Sequence, residues 1–291
     1  MNKKLVVLAA LSFSFLGAQA KVKLPHILGN NMILQQNAEA NLWGWDKPGT
    51  EVNVTASWSS QKWTAKTDKD GKWQVKVQTP KASYTPLSIT FDDGEPVTLS
   101  NILAGEVWVC AGQSNMEMPV KGFGNCPVEG YNKAVVEANQ YKGIHYVKIP
   151  SVMSNKPLDD ASCEWKEISP ETVGEASATG YFFAQVVNKA LDIPVGLVMA
   201  NKGGTRVESW LDRDYLKKNT KEETDSAKIV KSKKFKWDFH YPLLWGNGTF
   251  HPILNYTVKG ILFYQGCSNV GDPDGQYTQR LADLVAQWRR D

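Results

Sequence analysis

The chain has 291 residues, of which 42% are hydrophobic, 22% charged and 11% aromatic. That composition supplies a sizeable core and excludes wholesale disorder, and at about 100 to 200 residues per domain it predicts one large or two smaller domains. The net charge is only +3, and the lysine-rich run from Lys217 to Lys236 is interleaved with Glu222, Glu223 and Asp225, with Asp238 close behind; this is a solvated face and not a nucleic-acid-binding stripe.

Residues 1–20 hold Lys3 and Lys4, the apolar run Leu5 to Leu16, then GAQA with small residues at Ala18 and Ala20. This is the pattern of a secretory signal peptide cut after Ala20. The run falls short of the ~20 apolar residues that cross a bilayer, and no later segment reaches that length. The mature protein is therefore expected to be exported, periplasmic or extracellular, with no integral membrane segment. Export permits disulfides among Cys110, Cys126, Cys163 and Cys267. The spacing does not choose among the pairings: Cys126 and Cys163 lie in loop-like stretches able to pair, whereas Cys110 reads as a small buried hydrophobe. No spacing of Cys or His fits a zinc site, so neither a metal nor a cofactor is expected.

From residue 21 to about residue 103, short runs with period-two alternation, EVNVTASW, KWTAKTD, KWQVKVQT and LSITFDD, are separated by KPGT, DKDGK and DDGEP. Regular short strands with such turns predict an all-β sandwich, the glycines accepting the positive φ that tight turns need. Trp43, Trp45, Trp58, Trp63 and Trp73 read as its core and edges, with a sugar-binding role for some of them left open. From residue 104 to 291 the texture changes. GEVWVCAG, GIHYVKI, PVGLVMANKGG and KGILFYQG are apolar runs bounded by Gly or Pro, as buried parallel strands are. Between and after them, GYFFAQVVNKAL and QYTQRLADLVAQWRRD carry helical periodicity, the first with Phe182, Phe183, Val186, Val187, Ala190 and Leu191 on its apolar face. Strands alternating with helices predict an α/β layered domain with a mainly parallel sheet.

Three of these strands end in Gly-led polar corners, AGQSNM, NKGGTRVESW and YQGCSNVG. In an open parallel sheet ligands bind beyond the carboxyl ends of the strands, so the three corners are expected to form one site. A serine attacks a carbonyl only if its proton is removed and the developing oxyanion is received. Ser114 at the first corner is the candidate nucleophile, Gly203 and Gly204 allow close backbone approach, and Gln265 and Asn269 carry amide donors. Spacing alone leaves open that GxS is merely a turn.

GEVWVCAGQSNMEMPV, NKGGTRVESW and YQGCSNV resemble the three signature blocks of the sialate O-acetylesterase family, a branch of the SGNH-type serine hydrolases that also includes acetylxylan esterases. LGNNMILQQNAEANLWGWDKPGTEV and the DGKW turn are similar to that family's leading β domain. The resemblance implies a three-layer, flavodoxin-like α/β hydrolase domain and removal of O-acetyl groups from sialic acid or related sugars, with acetylated carbohydrate as partner. It implies Ser114 as nucleophile and Gly204, Gln265 and, less directly, Asn269 as oxyanion contributors. Gln113 and Arg206 are substrate-binding candidates; Arg206 either pairs with Glu208 or meets a sialate carboxylate through its planar fork. Glu117 contacts substrate or simply favours a helix start. Trp210 reads as packing. Acetylxylan or another polysaccharide acetylester is the alternative substrate, and a non-catalytic glycan-binding protein the alternative class.

Two departures stand out. Where the family commonly carries Glu, this chain has Cys267, read as a plain substitution in preference to a redox or disulfide role. The family's D-x-x-H motif, in which Asp orients the His that deprotonates the Ser, is not found: His26, His145, His240 and His251 all lie outside such a motif, and His251 is only a weak candidate base. The chain is accordingly expected to be a fragment lacking that part, with the nucleophile and oxyanion elements but little esterase activity.

Overall fold

The computed structural model describes residues 21–272 and 275–291; the expected signal peptide lies outside the described residues. The chain forms, in order, β1 (Ile33–Gln35), β2 (Glu39–Trp45), β3 (Glu51–Ala56), β4 (Ser59–Lys66), β5 (Lys72–Gln78), β6 (Ser83–Asp92), β7 (Val97–Gly112), α1 (Ser114–Glu117), α2 (Tyr131–Glu137), β8 (Ile144–Lys148), β9 (Trp165–Glu167), α3 (Ala178–Leu191), β10 (Val195–Asn201), α4 (Arg213–Asn219), α5 (Ser226–Lys231), β11 (Gly260–Tyr264) and α6 (Tyr277–Arg290). None of these helices is long and apolar enough to cross a membrane.

β7 is the structural spine. Its first half pairs antiparallel with β6, which continues to β3 and β4, while the antiparallel two-stranded sheet of β2 and β5 packs opposite through Trp73 on Phe91, 5.7 Å between centroids. Its second half is flanked in parallel by β10 and β11, with β8 beyond β10 and β9 antiparallel at the edge. The boundary expected near residue 103 therefore falls inside one continuous strand. Asn101, at φ 54°, lies within it, just before the change from alternating to continuous apolar sequence. Gly105 is obligatory there, because a Cβ would stand 2.1 Å from the Pro194 carbonyl oxygen.

Period-two alternation sorts the α/β sheet into two faces. Val107, Val109, Ala111, Val198, Ala200 and Phe263 face the core that continues into the sandwich and takes Leu284 and Trp288 of α6. Cys110, Leu197, Met199 and Leu262 face the core that takes Tyr181 and Ala184 of α3. Helices on both faces of a mainly parallel sheet give the three layers that the sequence predicts.

Both long helices lie where periodicity places them, α3 with a different inward face. α3 buries Ala178, Gly180, Tyr181, Ala184 and Asn188, and leaves Phe182, Val186 and Leu191 exposed. The small residues decide this: a Cβ on Gly180 would lie 2.8 Å from Cys110 Sγ, so that stripe sets the approach to the sheet. α6 buries Arg280, Asp283 and Gln287 beside Leu284, each polar group meeting a partner: Glu208, the Asn219 amide at 2.6 Å, and the Asp212 amide at 2.7 Å. All four cysteines are free thiols; Cys110 is buried as expected, its thiol pushed up to about 12 by burial, and Cys126 and Cys163 do not pair.

The sandwich is tied to the α/β sheet by polar side chains reaching the Ile27–Ile33 backbone. Trp165 Nε1 donates to Ile27 O at 2.8 Å, Tyr256 Oη to Ile33 O at 2.8 Å, and His145 Nδ1 to Asn31 O at 2.6 Å. Burial lowers the His145 imidazole from its ordinary value, opposed by the Asn31 bond and by Glu167. The unfolded chain then binds a proton that the folded chain refuses, so stability is full above about pH 6.5 and is lost as pH falls below it. His145→Gln is expected to flatten the fall in Tm between about pH 7 and pH 5; a thermal-melting series with the wild-type slope would contradict this.

Candidate active site

The register of the parallel strands builds the site. Asn201 of β10 and Tyr264 of β11 both lie opposite Gly112 of β7, so three adjacent strands end level and their corners emerge side by side. Gly112 has φ 135°, and a Cβ there would meet the Tyr264 carbonyl oxygen at 2.2 Å. Only glycine lets the first corner turn this close to the third.

Gln113 is almost fully buried and braces the two corners. Its backbone N–H donates to Tyr264 O at 3.0 Å, and its side-chain Oε1 accepts from Gly266 N at 3.0 Å and Ser268 N at 3.4 Å. The sequence offers Gln113 as a substrate contact; the structure engages its side chain within the protein. Ser114 follows, half-buried, as the first residue of α1.

The second corner packs directly on Ser114. Gly203 donates its N–H to Glu117 Oε2 at 2.6 Å, and a Cβ on Gly203 would lie 3.6 Å from Ser114 Cβ and 2.7 Å from that carboxylate oxygen. Glu117 is thus neither a substrate contact nor only a favourable helix-start charge: it clamps the glycine loop onto the helix that carries the serine. Gly204 follows at φ 77°, with the Phe239 ring 2.5 Å from where its Cβ would be. Among the described residues, the amides of Ser114 and Gly204 have no acceptor. Two such N–H groups flanking a serine are the donors an oxyanion requires.

Gln265 and Asn269 are brought to the same corner, but their amide donors are committed elsewhere. Gln265 Nε2 donates to Asn269 Oδ1 at 2.9 Å and Thr205 O at 3.1 Å. Asn269 Nδ2 donates to Asp272 Oδ2 at 2.8 Å and Glu208 Oε2 at 3.0 Å, while its Oδ1 accepts from Val207 N at 3.0 Å. The two amides thus hold the loops to one another.

Behind them lies a buried ion network. Glu208, with no exposed surface, meets Arg280 and lies 3.4 Å from Arg206; Arg206 also pairs with Asp272 at 2.8 Å and Glu222 at 3.5 Å. Burial works against the Arg206 charge, but Glu208, Asp272 and Glu222 outweigh it and raise the guanidinium above its ordinary value. Three carboxylates already occupy this fork, so of the two alternatives for Arg206 the structure shows pairing. Such networks contribute little net stability but fix geometry, since losing one partner strands a buried charge. Trp210 is buried, with Nε1 donating to Thr205 Oγ1 at 3.1 Å, and packs as expected.

No described histidine hydrogen-bonds Ser114. His26 pairs with Asp160 at 2.8 Å, and His145 serves the domain junction. His251 donates to Leu158 O at 2.8 Å and lines a cleft with Trp45 and Trp73 of the sandwich; the structure does not bring it to the serine corner. His240 adjoins the second corner: its ring meets Phe239, which covers Gly204, edge-on at 4.8 Å, and its imidazole is lowered by burial and by Arg206, against Asp272 and Glu208.

Residues 104–291 match the family model for carbohydrate esterase, sialic acid-specific acetylesterase. The chain belongs to this family. It is 26% identical over 307 residues to sialate O-acetylesterase of Mus musculus and 27% identical over 288 residues to that of Homo sapiens, covering 90% of this chain in both cases. A solved carbohydrate acetylesterase from Xanthomonas citri superposes with a TM-score of 0.79 at 28% identity, covering 93% of this chain. The chain spans 55%, 52% and 57% of the lengths of these three proteins, respectively.

The clamp makes a direct test. A hydrogen bond to a charged group contributes about 1.5 to 3 kcal/mol, so Glu117→Ala is expected to slow phosphonylation of Ser114 by an organophosphate ester about tenfold or more. Glu117→Gln keeps an acceptor and is expected to stay within about threefold of wild type. Equal rates for all three proteins would remove Glu117 from the site.

Proposed function

We propose that this chain carries the acyl-transfer site of a serine esterase that removes O-acetyl groups from carbohydrates, with sialate as the first substrate and acetylxylan as the alternative. The observation that carries this reading is the level ending of three strands, which sets Ser114 against the Gly203–Gly204 loop with two amides lacking acceptors. Ser114 Oγ attacks the acetyl carbonyl, and the Ser114 and Gly204 amides receive the negative charge. The sugar oxygen then leaves carrying the proton that Ser114 gives up, and water cleaves the acetyl-serine to acetate, returning a proton to Ser114. Sialate as the sugar is supported by the family and by the names of the relatives. Arg206 adds nothing to that choice, being saturated by carboxylates of its own chain.

We also propose export, on the charged, apolar and small-residue pattern of residues 1–20.

Hydrolysis of an O-acetylated sialic acid and of acetylated xylan, followed as acetate release, tests the activity. The expected result is slow release by the wild-type chain, in keeping with the lack of a histidine bonded to Ser114 among the described residues, and its loss in Ser114→Ala. Equal rates for both proteins would contradict the assignment of the nucleophile. His240→Gln in the same assay reports whether the histidine beside the corner takes part.

A further inference from the structure

Among the described residues one tryptophan is exposed. Trp237 has 50% of its surface accessible, whereas the other tryptophans are buried or half-buried. An indole costs free energy to leave in water, and a large exposed apolar side chain set among polar neighbours marks a contact surface.

The ring is held in place. Trp237 stacks on Phe239 with centroids 5.8 Å apart and planes within 12° of parallel. The helical turn that follows is pinned by the protein beneath it: Trp245 Nε1 donates to Asp238 O at 3.2 Å, and Ser209 Oγ to Phe239 O at 3.4 Å. The exposed side chain of Lys236 carries its Nζ over the Trp237 ring, 5.0 Å from the centroid, from where it can give way to a stacking sugar.

The location is as informative as the ring. Phe239, the partner of Trp237, is the side chain that covers Gly204, and the neighbouring Gly203 packs on Ser114. A flat aromatic pair therefore stands on the second corner, against the glycine loop that packs on the nucleophile. The apolar C–H face of a pyranose stacks on such a surface while its hydroxyls stay hydrated, and a nearby ammonium donates to ring oxygens.

We propose that Trp237, supported by Phe239, is the platform on which the pyranose ring of the acetylated substrate stacks while its ester reaches Ser114. This rests on the esterase reading for the position of the ester, but its test does not need turnover. Ser114→Ala protein is titrated by calorimetry with an O-acetylated methyl xyloside, which is neutral, and an O-acetylated methyl sialoside, which is anionic. Adding Trp237→Ala is expected to weaken binding of both about tenfold, and Trp237→Tyr to restore most of it. The melting temperature is expected to be unchanged, because the side chain lies outside the core.

Unaltered affinity in the Trp237→Ala protein, or no binding of either sugar by the parent, would overturn the platform. So would a concentration-dependent dimer, seen by sedimentation, that Trp237→Ala dissolves, because the ring would then serve a second copy of the chain. Failure of the esterase reading is distinguishable: it appears as loss of Ser114-dependent acetate release while sugar binding through Trp237 persists.

Discussion

β7 has to satisfy two sheets at once, and the rest of the molecule is arranged around that demand. Its backbone bonds antiparallel to β6 over the first half and parallel to β10 and β11 over the second, so neither sheet shifts register without breaking the other. A one-residue slip would turn Val107, Val109 and Ala111 away from the core they share with the sandwich and drive Trp108 and Cys110 into it. The register that packs the core is the same register that ends β7, β10 and β11 level. Packing energy spread over many buried residues thereby fixes the height of one hydroxyl.

Backbone geometry then does the fine positioning. Gly112, Gly203 and Gly204 stand where a Cβ would strike, respectively, the Tyr264 carbonyl, the Glu117 carboxylate and the Phe239 ring. With side chains excluded, main chain meets main chain, and two amides remain for an incoming oxygen. The polar groups nearby, Gln113, Gln265, Asn269, Arg206 and Glu208, are occupied with one another. They bind the three corners together, and the low dielectric around them strengthens their bonds while making each unpaired group costly. In the proposed reaction the charge that develops is received by backbone atoms that every residue possesses, held by side chains specific to this chain.

Much of this was legible from the residues. Apolar runs bounded by Gly or Pro marked β8, β10, β11 and the second half of β7, and the three Gly-led corners announced a shared site around Ser114. The continuity of β7 was hidden because its pattern switches from alternating to continuous at Asn101, where the sequence changes texture. The inward face of α3, and the polar residues buried on α6, were hidden for a related reason. Hydrophobicity alone marked Phe182 and Val186, while closeness of approach through Gly180 and Ala184, and polar pairing through Arg280 and Gln287, set the orientation. Gln265 and Asn269 looked like donors to an oxyanion because sequence shows what an amide offers and not which acceptor has taken it. Trp237 was obscured by the lysine run beside it, which reads as a plain solvated surface.

The central claim is that strand register aims Ser114 as a nucleophile with the Gly204 amide ready to receive charge. The most direct measurement is covalent labelling by a fluorophosphonate, located by peptide mass spectrometry, in wild-type and Gly203→Val proteins. The account predicts a single adduct on Ser114 in the wild-type chain, and its loss in Gly203→Val, where the new side chain parts the second corner from the serine. Labelling spread over other serines, or an unchanged Ser114 adduct in Gly203→Val, would contradict it.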